Sequence, residues 1–142
     1  MYECYTRQSL PERYYRELLG SALCVFNSNN AFIIENILRV SDSCDWYNLM
    51  DKESGKLIAS VSDTICKNGN EEIKTEFEKL IAMRNRIIHS FQITDTDGKQ
   101  RLATKTREKD GNRQFVIDEE YLMEFIRKNE ELSSRLHRFR GY

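Results

Sequence analysis

Three side chains near the middle of the sequence have the chemistry needed to act on a phosphodiester. Arg84, Asn85 and His89 lie within the segment EFEKLIAMRNRIIHSF at 76–91. A guanidinium binds phosphate oxygens through a fixed fork of donors, and an imidazole takes or gives a proton near neutral pH. An amide can orient either group. These residue types predict a phosphate-binding site, although each of them is also common on helices.

The segment that carries these residues has the period of an amphipathic helix. Its apolar stripe consists of Ile73, Phe77, Leu80, Ile81, Ile87, Ile88 and Phe91. Arg84 falls in the middle of this stripe. Asn85 and His89 stand at i and i+4, so they project together at the edge of the stripe beside Arg84. Arg86 is expected on the opposite face, in solvent.

A purely structural role for Arg84 is the alternative. Its stem would pack on apolar neighbours while the guanidinium reached water or an acidic partner. Arginine keeps its charge when it is buried, so such a partner is required. Glu35, in the segment AFIIENILRV, is one candidate. The chain would then be a helical interaction protein that holds a buried ion pair.

Helical periodicity recurs on both sides of this segment. Before it, the apolar positions are Tyr14, Leu18, Leu19, Leu23 and Phe26, then Phe32 to Val40, WYNLM at 46–50, and Leu57, Val61 and Ile65. The polar NSNN at 27–30 predicts either a break or the start of a second helix. Gly69 is a good helix stop, and Asn70 is placed to cap the helix that carries Arg84. Asp118 is predicted to cap a last helix, whose buried face is Tyr121, Leu122, Phe125, Ile126, Leu132 and Leu136.

The stretch between the last two helices has a different pattern. Asp97-Gly98 and Asp110-Gly111 are turn signals that separate weakly alternating, threonine-rich runs. They predict a hairpin or three-stranded meander over about 92–117. The sequence as a whole predicts a mostly α fold, a bundle of four to five helices with this β appendage inserted before the last helix. It is read as a single domain, 1–142.

The appendage is rich in cations. Arg101, Lys105 and Arg107 would share one face of a strand that ran through all three, because side chains alternate with a period of two. Such a face is a candidate surface for the RNA backbone. A charged edge that deters the addition of another strand is the alternative.

Composition excludes several classes of protein. The 142 residues are 39% hydrophobic and 32% charged, with a net charge of -1, which suits a soluble globular protein and gives no global attraction to nucleic acid. No apolar run has the length of a membrane span, and the first residues lack the pattern of a secretion signal. A cytoplasmic protein is therefore expected. The four cysteines and two histidines show no zinc spacing, so neither a metal nor a cofactor is predicted.

The string from Arg84 to His89, RNRIIH, resembles the RNxxxH form of the motif of HEPN domains. These are small helical domains of bacterial toxins, abortive-infection systems, CRISPR-associated nucleases and eukaryotic RNA-stress nucleases. The order of elements is also similar, with the motif late in a long central helix, an irregular or β segment after it, and a closing amphipathic helix. The resemblance would cover nearly the whole chain.

The resemblance implies a metal-independent endoribonuclease. Arg84 would bind the scissile phosphate, His89 would transfer protons to or from the 2′-hydroxyl and the leaving oxygen, and Asn85 would help to orient the pair. The 2′-hydroxyl is the nucleophile in this scheme, so the substrate is RNA and not DNA. Two domains pair in the family so that both motifs face one cleft, which implies a homodimer.

The same resemblance suggests a biological setting. The chain would be a toxin or phage-defence effector, with an antitoxin or another defence-system protein as a partner. The alternative within the family is a non-catalytic HEPN-like module that binds a nucleotide, RNA or a protein. The presence of Arg84, Asn85 and His89 together favours the catalytic reading, because a scaffold needs none of them.

Overall fold

The computed structural model describes residues 2–141 and has the predicted fold class, mostly helical with a small sheet before the last helix. The helices within these residues are α1 (Arg13–Val40), α2 (Trp46–Asp51), α3 (Ser54–Asp63), α4 (Glu71–Ile88) and α5 (Glu119–Arg140). The strands are β1 (Phe91–Thr94), β2 (Gln100–Lys105) and β3 (Gln114–Ile117). Short 3-10 turns span Tyr2–Tyr5, Ile65–Asn68 and Glu108–Asp110. None of the helices in the described part of the chain is both long and apolar enough to span a bilayer.

Helix α1 runs without a break through NSNN, where the sequence left a break or a new helix open. The reason is tertiary. The Asn29 amide is buried and donates to the backbone carbonyl of Asn129 at 2.8 Å and to its side-chain oxygen at 3.0 Å. Asn30 accepts a hydrogen bond from Ser54 on α3 at 2.8 Å. These polar side chains therefore join α1 to its neighbours, and they do not end it.

The predicted boundaries of α4 and α5 differ in how they are capped. Gly69 has a φ of 88° and ends the turn before α4. Asn70 occupies the cap position of α4, but its side chain donates to the carbonyl of Ile65 and caps no backbone amide. Asp118 caps α5 as predicted, accepting from the backbone amide of Tyr121 at 2.8 Å.

The three strands form an antiparallel sheet in the order β1-β2-β3. Phe91 pairs with Ala103, and Leu102 pairs with Ile117. The hydroxyl of Tyr15 on α1 fastens the sheet to the bundle, because it donates to the carbonyl of Ile117 at 2.6 Å and accepts from the amide of Leu102 at 3.0 Å. Burial raises the pKa of the Tyr15 phenol, which keeps this bridging group neutral.

One apolar core lies between α1, α3, α4 and α5 and extends under the sheet. The Phe26 ring is at its centre and stacks against Phe77 and Phe125, with ring centroids 6.2 and 6.0 Å apart. The sequence assigned Tyr14 to this face, but Tyr14 is exposed and Tyr15 is buried in its place. The largest fully buried side chains are Phe26, Phe77, Phe125, Ile33, Ile34, Ile37, Leu49, Leu57, Ile65, Leu80, Ile117 and Leu122.

Candidate functional site

The end of α4 and the sheet enclose a cavity of about 440 Å³. One helical face of α4 lines it with Ala82, Asn85, Arg86 and His89, whose spacing of three, one and three residues is that of a single stripe. Met83 of α4 also contributes, and the other walls are formed by Thr106, Arg107, Asp110, Phe115 and Tyr121. The cavity therefore lies between the helix that carries the motif and the connection from β2 to β3.

The backbone at the end of α4 holds His89 firmly. Its amide donates to the carbonyl of Asn85 at 2.9 Å, and its own carbonyl accepts from the Thr104 hydroxyl on β2 at 2.8 Å. Neither the His89 imidazole nor the Asn85 amide group has a hydrogen-bond partner within residues 2–141. The structure thus brings Asn85 and His89 to one cavity with both side chains available to a ligand.

Arg84 is on the neighbouring face and does not line this cavity. Its guanidinium carbon lies 5.1 Å from the centroid of the buried Phe26 ring. Its Nε is buried, and the side chain forms no hydrogen bond or ion pair in the described part of the chain. Glu35, the acidic partner considered from the sequence, pairs with Arg140 at 3.2 Å. Arg84 is therefore a cation without a countercharge at the edge of the core.

The apolar stripe around Arg84 is covered only in part. Ile87 is buried, but Ile88 is 52% exposed and Phe91 is 48% exposed. The sequence placed Ile88 and Phe91 on the same stripe as the core residues of α4. The structure leaves both side chains half exposed, Ile88 one turn after Arg84 on α4 and Phe91 at the start of β1.

Arg86 was expected in solvent on the opposite face, and this expectation was wrong. Arg86 lines the cavity, and its Nη1 donates to the carbonyl of Lys105 at 2.6 Å. It lies three residues before His89 and therefore on nearly the same side of α4. It links the helix to the end of β2 and adds positive charge beside His89.

The three cations predicted to share a strand face lie in three different settings. Arg101 is only 9% exposed, and its guanidinium binds Asp95 and Asp97 at 2.9 Å and Glu119 at 2.8 Å. Lys105 is exposed, and its ammonium donates to the Asn112 side chain at 2.6 Å. Arg107 lies beyond the end of β2, so the alternation does not reach it. The continuous basic face expected from the sequence is therefore absent from the described sheet.

Arg107 lies instead at the cavity. It is exposed, it lines the same space as Asn85 and His89, and it forms no side-chain hydrogen bond or ion pair within residues 2–141. Sequence reasoning named Arg107 but placed it on a strand. The Asp110-Gly111 turn signal was the clue to its true position, because a turn there ends β2 early.

Two aromatic residues line the cavity, and only Tyr121 was assigned to a buried face from the sequence. Phe115 and Tyr121 are half-buried, with ring centroids 5.8 Å apart. The Tyr121 hydroxyl donates to the carbonyl of Met83 at 3.0 Å. Burial raises the pKa of Tyr121 to about 12, against a smaller opposing effect of Arg86. Tyr121 is therefore a neutral wall of the cavity and does not serve as a proton donor or acceptor near neutral pH.

Within residues 2–141, no three histidine, cysteine, aspartate or glutamate side chains are grouped so as to hold a metal ion. Comparison with known proteins gave no match to a family model, to a curated protein or to a solved structure. The interpretation of the cavity therefore depends on the chemistry of the residues that line it.

Proposed function

We propose that the chain is a metal-independent endoribonuclease of HEPN type that acts as a homodimer. The observation that carries the proposal is the cavity at the end of α4. Asn85 and His89 open into it without partners in the described chain, beside the cations Arg86 and Arg107. An imidazole, an amide and two guanidiniums suit an anionic substrate whose reaction needs proton transfer.

The proposed reaction is an internal transfer of the phosphoryl group. The 2′-oxygen of the ribose attacks the adjacent phosphorus, a new bond from this oxygen to phosphorus forms, and the bond to the 5′-oxygen of the next nucleotide breaks. The proton of the 2′-hydroxyl is removed, and a proton is given to the leaving 5′-oxygen. The products are a 2′,3′-cyclic phosphate and a 5′-hydroxyl. His89 would take part in the proton transfers, and a guanidinium would offset the charge that develops on the phosphoryl oxygens.

A second copy of the chain would complete the site. One subunit offers one imidazole, and its Arg84 lies on a different face of α4 from His89. Ile88 lies one turn further along that face and Phe91 begins β1, and both are exposed apolar side chains that gain from burial against another surface. A twofold interface uses the same patch on both subunits. It would bring two copies of the α4 end together and supply two Arg84 and two His89 side chains to one cleft.

Cleavage of labelled RNA in the presence of EDTA tests the proposal. We expect cleavage to persist in EDTA and to leave 2′,3′-cyclic phosphate ends, because the nucleophile belongs to the substrate. A substrate with deoxyribose at the cut position should resist cleavage, and His89→Ala should lower the rate about 100-fold. A strict requirement for a divalent metal, or equal cleavage of DNA, would overturn the mechanism.

One observation favours a non-catalytic HEPN-like module that binds a nucleotide, RNA or a protein. Within residues 2–141 of a single subunit, Arg84 does not line the cavity that His89 lines. If the chain is a monomer at micromolar concentration in sedimentation equilibrium and leaves RNA intact, binding without cleavage becomes the better account.

A further inference from the structure

The cavity beside His89 has an apolar wall suited to a planar ring. Phe115 and Tyr121 form it with rings inclined by 43°. The Tyr121 hydroxyl is bonded to the carbonyl of Met83, so this residue offers its ring and not its polar end. The volume of about 440 Å³ lies within the usual range for sites that bind small ligands. Base stacking on aromatic side chains is a common means of holding a nucleotide.

The connection from β2 to β3, residues 106–113, lines the cavity with Thr106, Arg107 and Asp110, and hydrogen bonds fix its backbone conformation. The carbonyl of Arg107 accepts from the amides of Asp110 at 2.9 Å and Asn112 at 3.2 Å. The amide of Thr106 donates to the carbonyl of Arg113 at 2.8 Å. Gly111 and Asn112 adopt left-handed backbone conformations, with φ of 100° and 53°, that close the turn. Arg107 and Asp110 are thus held at defined positions on the cavity.

The side chains of these two residues have no partner of their own. Neither the Arg107 guanidinium nor the Asp110 carboxylate forms a hydrogen bond or an ion pair within residues 2–141, although they are three residues apart. A fixed loop therefore presents one free cation and one free carboxylate to the space in front of the Phe115 and Tyr121 rings.

We propose that this cavity binds a guanine nucleotide of the RNA next to the cleaved phosphate. Arg107 holds its phosphate, the Phe115 and Tyr121 rings pack against its base, and the Asp110 carboxylate reads its base edge. An ionised carboxylate only accepts hydrogen bonds. Guanine alone among the four bases carries two adjacent donors on its Watson–Crick edge, N1–H and N2–H, which match the two carboxylate oxygens. The proposal rests on the proposed ribonuclease function and adds a base preference to it.

Binding of mononucleotides to the intact chain tests this subsite without any cleavage step. Titration calorimetry or protein NMR would compare guanosine, adenosine, cytidine and uridine 5′-monophosphates with ribose 5-phosphate. We expect the guanosine nucleotide to bind about tenfold more tightly than the uridine nucleotide, the worth of one charge-assisted hydrogen bond. Ribose 5-phosphate should bind more weakly than any of the four nucleotides.

Two variants separate the two contacts, and the same loop supplies a matched control for each. Asp110→Asn should abolish the preference for guanine, whereas Glu108→Gln, which removes the same charge outside the cavity, should preserve it. Arg107→Gln should lower the affinity for all four nucleotides about tenfold, whereas Lys109→Gln should leave these affinities unchanged. Thermal unfolding of each variant establishes that the loop is intact, and Asp110→Ser serves if the asparagine variant is destabilised.

Several outcomes would overturn the subsite. Equal binding of all four nucleotides would remove the role of Asp110. If Arg107→Gln and Lys109→Gln lower the affinity for the nucleotides equally, the affinity reflects the overall charge of the loop and not a specific contact. If none of the four nucleotides binds and a protein does, the cavity serves another class of partner. If guanine binds selectively but RNA is not cleaved, the subsite stands and the ribonuclease proposal fails. If RNA is cleaved without any guanine preference, the ribonuclease proposal stands and the subsite fails.

Discussion

Two arginines of this chain are shielded from solvent, Arg101 on β2 almost completely and Arg84 on α4 in part, but their surroundings are opposite. Arg101 binds the carboxylates of Asp95, Asp97 and Glu119 and thereby ties the β1–β2 turn to the start of α5. Arg84 lies over the Phe26 ring with a buried Nε that has no hydrogen-bond partner in the described chain.

The difference shows how a structural cation can be told from one available for another role. Burial of a charge is costly unless hydrogen bonds and countercharges offset the loss of water. The surroundings of Arg101 provide that compensation, and the pKa of its guanidinium is raised further, first by the hydrogen bonds to Glu119. The surroundings of Arg84 offer the Phe26 ring but no carboxylate and no hydrogen-bond partner within residues 2–141, so no ion pair explains the presence of an arginine there.

Replacement of each arginine by methionine should show the largest difference between the two sites, and Arg84 is considered first. Arg84→Met keeps the stem that packs on Phe26 and removes the unpaired cation. We expect RNA cleavage to fall about 100-fold, the usual effect of removing a donor that stabilises transition-state charge. The free energy of unfolding should stay within about 0.5 kcal/mol of the wild type or rise. Cleavage assays and urea unfolding measure the two quantities on one preparation.

Mixed dimers show whether Arg84 acts across an interface. Chains that carry Arg84→Met and chains that carry His89→Ala would be unfolded together, refolded together and assayed against each variant alone. Recovery of activity in the mixture alone supports a cleft shared by two subunits. A mixture that remains as inactive as both parents would contradict it, as would an Arg84→Met variant that cleaves RNA at the wild-type rate.

Arg101→Met should have the reverse effect. The substitution leaves Asp95, Asp97 and Glu119 close together without their shared cation, so we expect a loss of about 1–3 kcal/mol in the free energy of unfolding. Cleavage by the folded protein should be retained. Lys99→Met is the control on the same hairpin, because within residues 2–141 the Lys99 side chain forms only an exposed ion pair with Glu12, and its loss should change stability by less than about 0.5 kcal/mol. Equal losses of unfolding free energy in Arg101→Met and Lys99→Met would show that Arg101 has no special structural role.

The smallest expected effect is on the stability of the fold at acidic pH. The backbone amide of Lys99, followed by the Arg101 guanidinium, holds the pKa of Asp97 below its ordinary value. A carboxyl with a lower pKa in the folded state stabilises the fold above its unfolded pKa, and this contribution disappears as pH falls through the folded pKa. Unfolding free energy measured between about pH 2 and 5 should therefore fall less steeply in Asp97→Asn than in the wild type. Asp51→Asn, at an exposed position, should follow the wild-type curve.

Local sequence patterns predicted the elements of the fold better than they predicted the partners of polar side chains. Helical spacing identified the buried face of α5, and the Asp118 cap and both turn signals of the meander were also correct. The continuity of α1 through NSNN was not predictable, because the partner that buries Asn29 is a hundred residues away at Asn129.

The candidate site shows the same limit. The motif identified Asn85 and His89 as neighbours, since residues at i and i+4 share one side of a helix. It did not indicate that Arg84 faces Phe26, because that depends on how α1 packs against α4. Arg101 was read as an exposed cation because its countercharge comes partly from Glu119, on an element beyond the next strand. Arg107 reaches the cavity only because β2 ends two residues before it.

The pairing of α1 with α5 also determines when the chain can fold during its synthesis. Phe26 stacks on Phe125, and the Asn29 amide bonds to Asn129, so the first helix finds its main partner only in the last one. Contacts this distant in sequence form late and leave apolar surface open in the meantime. The nascent chain should therefore expose the apolar face of α1 on the ribosome until α5 has emerged. We expect chaperones that bind exposed apolar segments to bind this face during synthesis. Tyr121 belongs to that same late helix, so the cavity beside His89 cannot be complete before α5 has been synthesised.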